Sequence, residues 1–184
     1  MSRWMSDIFW IGVGSNRGNA LSICRRAVAR LRAHLSLRLV AQSPFYRTEP
    51  VGPLRQPWYI NGVVGLESSM GPRALLRLLH RVESGFGRNR RREKRWGPRS
   101  LDLDLLFHGD RVIRCRDLSL PHPRLHQRRF VLRPLADVAP DWIHPLFGKT
   151  VDILLREVDD TARVEPLLEC GIDSHQESGD RNTS

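Results

Sequence analysis

Leu101-Asp102-Leu103-Asp104-Leu105-Leu106-Phe107 reads as a strand whose two faces differ. Side chains alternate across a strand, so Asp102 and Asp104 share one face, roughly 7 Å apart, while Leu101, Leu103 and Leu105 take the other. Two like charges held side by side are tolerated when water screens them or when a cation lies between them. The pattern therefore leaves two readings open, a solvated edge face or a metal site built on Asp102 and Asp104.

The chain on the N-terminal side sets out the rest of a small α+β domain. Ile8 to Val13 is a short apolar strand running into the turn Gly14-Ser15-Asn16. Ala20 to Leu35 carries Leu21, Cys24, Val28, Leu31 and Leu35 at helical spacing. Leu37 to Tyr46 reads as a strand, Thr48 to Pro57 as a proline-rich loop, and Trp58 to Glu67 as a further strand. Pro72 opens a helix with Leu75, Leu76, Leu79 and Val82 on one face, closed by Gly85 and Gly87. With the Leu101–Phe107 strand the order is β-α-β-β-α-β, which suits a ferredoxin-like sandwich: an antiparallel sheet with helices on one face. C-terminal extensions follow. Gly109-Asp110 suggests a hairpin returning through Arg111 to Ile113. Leu120 to His126 is irregular, and Phe130–Leu135 and Val151–Val158 read as short helices. We expect one domain over residues 1–165 and a polar, disordered tail over 166–184.

Composition narrows the function. The 184 residues are 40% hydrophobic, enough for a core, and no apolar run approaches the roughly 18 residues of a membrane span. Met1 to Trp10 lacks the pattern of a secretory signal, so a soluble cytoplasmic protein is expected. Cys24, Cys115 and Cys170 form no C-x-x-C unit and read as idle or buried thiols. The formal net charge is +10, nearly all of it from arginine, which suggests a polyanionic partner or merely an arginine-rich codon usage. Local clustering favours the former. In Arg88-Asn89-Arg90-Arg91-Arg92-Glu93-Lys94-Arg95-Trp96-Gly97-Pro98-Arg99, seven of twelve residues are cationic, and the run leads straight into the paired-aspartate strand. Such a run is ordinarily a solvated face. Beside two carboxylates, arginine forks that grip phosphate oxygens would complete the charge set for phosphoryl transfer.

Other candidates are ambiguous by themselves. Gly12-Val13-Gly14-Ser15-Asn16-Arg17-Gly18 misses the dinucleotide-binding glycine spacing by one residue, and no P-loop motif occurs. His122, between Pro121 and Pro123 and followed by Arg124, Arg128 and Arg129, is a surface histidine or a phosphate contact. Asn61, within an otherwise apolar strand, bonds a neighbouring loop or the edge of a ligand ring. A basic RNA-binding module of the same fold is the alternative; its strands would offer Tyr59 and Phe107 for base stacking.

Taken in order, the motifs resemble the 6-hydroxymethyl-7,8-dihydropterin pyrophosphokinase family of folate biosynthesis over about Ile8 to Pro145. The resemblance rests on Gly14-Ser15-Asn16, Ser43-Pro44-Phe45-Tyr46-Arg47-Thr48, Gln56-Pro57-Trp58-Tyr59-Ile60-Asn61, and Val82-Glu83 with Gly87-Arg88. It is sharpest over Arg95-Trp96-Gly97-Pro98-Arg99-Ser100-Leu101-Asp102-Leu103-Asp104. Pro121-His122-Pro123-Arg124 and Phe130-Val131-Leu132-Arg133-Pro134-Leu135 complete it. The resemblance implies a ferredoxin-like fold and transfer of the pyrophosphoryl group of ATP, the co-substrate, to a reduced pterin, with release of AMP. It implies that Asp102 and Asp104 bind two Mg2+ ions, and that Arg88 and Arg99 stabilise the transferring group. Glu83, Arg90, Arg91, Trp96, His122 and Arg128 would lie on the ATP side. Thr48, Val51, Tyr59, Asn61 and Phe130 would form the pterin pocket. It also implies a monomer whose partners are pterin and ATP, not nucleic acid or membrane. Asp117 stands where some relatives carry arginine, with Arg116 beside it.

Overall fold

The computed structural model describes residues 8–89 and 97–167. In chain order the strands are β1 (Ile8–Ser15), β2 (Arg38–Gln42), β3 (Tyr46–Thr48), β4 (Tyr59–Glu67), β5 (Asp102–His108), β6 (Ile113–Arg114), β7 (Ser119–Leu120) and β8 (Val164–Pro166). The helices are α1 (Ala20–Arg32), α2 (Pro72–Gly85), α3 (Arg129–Ala136) and α4 (Val151–Glu157). The main sheet is antiparallel, ordered β5-β1-β4-β3-β8, with β2 also on β4. Among the described residues no helix is long and apolar enough to cross a membrane.

One face of the sheet supplies Phe9, Ile11, Val13, Val64, Leu66, Leu103 and Leu105 to a core closed by α1 and α2. Cys24, Ala27, Val28 and Leu31 come from α1; Leu75, Leu78, Leu79 and Val82 come from α2. Asn19 starts α1 by accepting the Ser22 N–H at 3.0 Å. Helices also cover the other face; the β-α-β-β-α-β order placed helices on one face and left the C-terminal extensions unplaced. There Trp10, Val63, Leu106 and Phe107 pack against Val131, Leu132 and Leu135 of α3 and Val151 and Leu154 of α4. A bulge makes this second core possible: opposite Trp10–Ile11 the register of β5 shifts by one residue. The extra residue puts Leu106 and Phe107 both on the second face, and Phe107 stacks on Trp142 with ring centroids 3.6 Å apart.

Four further expectations need correction. The strand expected over Leu37 to Tyr46 is two strands, because Ser43-Pro44-Phe45 interrupts the ladder where proline has no N–H to give. Ser43 fills the gap, donating its N–H to the Val63 carbonyl and accepting the Val63 N–H on Oγ, both at 2.9 Å. The first helix stops at Arg32, so Leu35 is fully exposed and Leu37 is buried in its place. The segment after Gly109 does not return along β5; β6 pairs with β7 in a separate two-stranded sheet. Finally, β8 joins the edge of the main sheet against β3, a strand its short, mixed sequence did not announce. It carries the sheet to Pro166; the tail from residue 168 lies outside the described residues.

Candidate active site

The second face is only half covered. Beyond Trp10 and Phe107, towards the other end of the same strands, it presents Gly12 and Gly14 of β1, Asn61 of β4, and Asp102 and Asp104 of β5. These line a cavity of about 500 Å³, a size suited to a small-molecule site. Gly14 lies opposite both Asn61 and Asp102, and Gly12 lies opposite Asp104. The two glycines keep the floor low. A Cβ on Gly14 would come within 2.5 Å of the Asn61 Oδ1.

Asn16, buried just after β1, locks two loops together. Its N–H donates to the Arg99 carbonyl at 3.1 Å, and its Oδ1 accepts the Arg99 N–H at 2.7 Å. Its Nδ2 donates to the Gln56 Oε1 and the Pro57 carbonyl, both at 3.1 Å. Ser15 Oγ donates to the Ser100 carbonyl at 2.6 Å. The end of the arginine-rich loop and the end of the proline loop are thus fixed on one residue. This fixes Arg99 beside the Gln56–Pro57 end of the proline loop, and both Arg99 and Gln56 line the cavity.

The charged wall is a paired network. Arg88 is buried and donates to Glu83 and Asp102; Arg99 donates to the other oxygen of Asp102. Arg128 Nη1 lies 3.3 Å from the Asp104 Oδ2. Burial alone would push the Asp102 carboxyl up, but the Arg99 and Arg88 guanidiniums outweigh it and hold the group below the ordinary carboxylate range. His122 is half-buried, and its N–H donates to the Leu106 carbonyl at 2.6 Å. Burial lowers its pKa; Asp104 and Asp102 oppose that shift, while Arg128 and Arg124 add to it. The net effect is downward, which favours the neutral ring.

The opposite wall is largely uncharged. Asn61 Nδ2 donates to the Thr48 Oγ1 at 2.7 Å, which fixes the amide so that its oxygen faces Gly14. Tyr59, Val51 and Phe130 line the same cavity. The Arg128 guanidinium sits 5.5 Å from the centre of the Phe130 ring, which joins the two walls.

Among the candidates, Val51, Tyr59, Asn61, Arg99, Asp102, Asp104, Arg128 and Phe130 meet at this cavity. Thr48 stands behind Asn61, and Arg88 lies beneath Asp102. Glu83 does not face the cavity as expected of a nucleotide contact. It is buried, accepting from Arg88 and, at 2.8 Å, from the Leu103 N–H. Arg90, Arg91 and Trp96 lie outside the described residues. Asp117 lies 3.3 Å from Arg73, and neither Asp117 nor Arg116 lines the cavity. Sequence reasoning did not assign Gln56, Arg124, Gln127, Asp159 and Asp160, which do line it. Gln56 and Arg124 fall inside quoted motifs; Asp159 and Asp160 carried no signal, since two aspartates in a loop are ordinary.

Residues 10–140 match the family model described as 7,8-dihydro-6-hydroxymethylpterin-pyrophosphokinase (HPPK). The chain belongs to the HPPK family. It is 45% identical to the 2-amino-4-hydroxy-6-hydroxymethyldihydropteridine pyrophosphokinase of Synechocystis sp., over 88% of this chain and 82% of that one. It is 40% identical to the Bacillus subtilis protein of the same name, over 73% and 79%. The fold resembles the crystal structure of Plasmodium falciparum HPPK-DHPS with pteroate, at TM-score 0.66 and 13% identity. That similarity covers 81% of this chain and 42% of the longer Plasmodium chain. The match to the HPPK family model ends before α4 and β8, so both elements lie outside it.

Proposed function

We propose that this HPPK-family chain transfers the pyrophosphoryl group of ATP to the hydroxymethyl group of 6-hydroxymethyl-7,8-dihydropterin, releasing AMP, in tetrahydrofolate biosynthesis. The observation that carries this reading is one cavity with two unlike walls. Asp102, Asp104, Arg99 and Arg128 form a wall for polyphosphate, and Asn61, Tyr59 and Phe130 form a wall for a flat heterocycle. The sheet order, with β1 central between β4 and β5, supports the ferredoxin-like arrangement, extended by α3, α4 and β8.

In the transfer, the substrate hydroxyl oxygen bonds to the β-phosphorus of ATP, the α–β bridging bond breaks, AMP leaves, and the hydroxyl proton passes to solvent. The chain's part is placement and charge. The fixed Asn61 amide reads the ring edge, and Phe130 offers its face. Arg99, now on Asp102, gains in the polyphosphate an alternative acceptor for its fork, so it can follow the charge that develops during transfer. Arg88 stays with Glu83 and holds Asp102 from beneath.

The site suits Mg2+. Two carboxylates project from one strand face over glycines, and no third acidic, histidine or cysteine ligand gathers with them among the described residues. That set fits an ion that takes one or two carboxylates and completes its shell with water and phosphate oxygens. We assign Asp102 and Asp104 to hold two such ions, which when bound would neutralise phosphate charge.

The RNA-binding alternative loses one of its two stacking rings. Phe107 is fully buried against Trp142 and cannot meet a base.

Purified protein given ATP, Mg2+ and 6-hydroxymethyl-7,8-dihydropterin is expected to form AMP and pterin pyrophosphate in equal amounts by chromatography. Formation of ADP, or no turnover, refutes the assignment.

A further inference from the structure

The segment Asp159–Leu167, outside the family-model match, starts at the cavity with Asp159 and Asp160 and is bonded to α3, to β3 and to the loop that follows β3. At its start, Asp160 Oδ2 accepts the Arg129 N–H at 2.9 Å, next to Phe130, and its Oδ1 accepts the Ala162 N–H at 3.0 Å. Next, Arg163 and Glu49 bond three times. The Arg163 N–H and Nε donate to the two Glu49 carboxylate oxygens, each at 2.9 Å, and the Glu49 N–H donates to the Arg163 carbonyl at 3.0 Å. The Arg163 guanidinium also sits 4.8 Å from the centre of the Trp58 ring, which Arg47 approaches at 4.4 Å. Val164 then pairs with Thr48, and the Leu167 N–H donates to the Phe45 carbonyl at 2.9 Å.

Glu49 and Trp58 are the two ends of the exposed proline loop. Between them lie Val51 and Gln56, which face the cavity, and Trp58 directly precedes Tyr59. Arg163 touches both ends with one side chain. A loop held at both ends has fewer conformations to lose when a ligand binds.

We propose that Asp159–Leu167 braces the pterin-facing wall, with Arg163 as the positioning residue that sets Val51, Gln56 and Tyr59 through Glu49 and Trp58. This rests on the pterin pyrophosphokinase reading of the site. The Arg163–Glu49 pair is largely exposed, with side chains 65% and 31% accessible, so its loss leaves the fold standing. What it governs is the population of the binding-ready loop, and hence the pterin rather than ATP.

The test is steady-state kinetics on the full chain, each substrate varied in turn, with Tm measured alongside. Arg163→Ala is expected to raise the pterin KM about fivefold while the ATP KM and kcat stay within about twofold. Glu49→Ala should raise it in the same direction, and the double variant should be no worse than Arg163→Ala, because both changes break the same Arg163–Glu49 contact. Arg163→Lys, which keeps the charge opposite Glu49 but loses the flat guanidinium over Trp58, should recover the pterin KM only in part, to a value between those of Arg163→Ala and wild type. An unchanged pterin KM in Arg163→Ala overturns the brace, as does a parallel rise of both KM values or a loss of kcat with lowered Tm. A wild-type chain that makes no AMP overturns the functional reading as well, whereas an active wild type with an unaltered Arg163→Ala overturns the brace alone.

Discussion

Glu83 and Arg88 are both buried, and the carboxylate serves Arg88 and the Leu103 N–H at once. Removing one partner of a buried ion pair strands the other's charge, so Glu83→Ala should cost about 3–5 kcal/mol of stability in urea denaturation. Glu83→Gln, which keeps an acceptor for Leu103, should cost less. Asp104 behaves differently. It is about one-third exposed and lies 3.3 Å from Arg128. Asp104→Ala should leave the urea midpoint near wild type while turnover to AMP falls by about 10²-fold or more; near-normal turnover would make the pair a solvated face. Gly14 marks a third kind of residue, one whose missing side chain matters. In Gly14→Ala the new methyl group meets the Asn61 oxygen at 2.5 Å and must displace the amide from Thr48. The pterin KM should rise about tenfold or more, with the ATP KM little changed.

Elements respond to packing more than to propensity. The connection between α3 and α4 holds a cluster in which the His144 ring lies 4.5 Å from Phe147 and 5.4 Å from Trp142. Burial, with His126 adding to it, depresses the His144 pKa to about 4. An unfolded histidine takes up its proton near pH 6.5, while this folded one resists protonation until about pH 4. The unfolded chain therefore binds more protons in that window, and stability falls as pH falls through it, by at most about 3 kcal/mol. Urea titrations between pH 7 and 4 should show this slope, and His144→Asn should be less stable at pH 7 yet flatter with pH. An unchanged slope would place the sensitivity elsewhere.

At the scale of the molecule, the chain carries a formal net charge of +10, and Arg99, Arg124 and Arg128 line the cleft. Encounter with ATP should be steered by this field and weakened by salt. Raising ionic strength from about 0.05 to 0.3 M should lower kcat/KM for ATP severalfold, with a smaller effect on kcat/KM for the uncharged pterin. Equal sensitivity of the two substrates would argue against steering. The half-covered second face explains how one sheet serves core and cleft: α3 and α4 cover the apolar half and leave the glycine, asparagine and aspartate half open.

The alternation around Asp102 and Asp104, the arginine run, and the succession of strands and helices up to Asp104 apart from the split of one strand into β2 and β3 were legible in the sequence, because local periodicity and composition record which face of an element meets water. The ordered motifs added the family. Residue types left Asn61 with two roles, and the resemblance implied a nucleotide-side place for Glu83; long-range bonds to Thr48, Arg88 and Leu103 decided what they do in the fold. The bulge in β5, the helices on the second face, the joining role of Asn16 and the strand β8 were likewise decided only in three dimensions. Each depends on partners tens of residues away. A sequence pattern specifies which side of an element is apolar; which distant group completes its hydrogen bonds and covers that side is set by the packing of the whole chain.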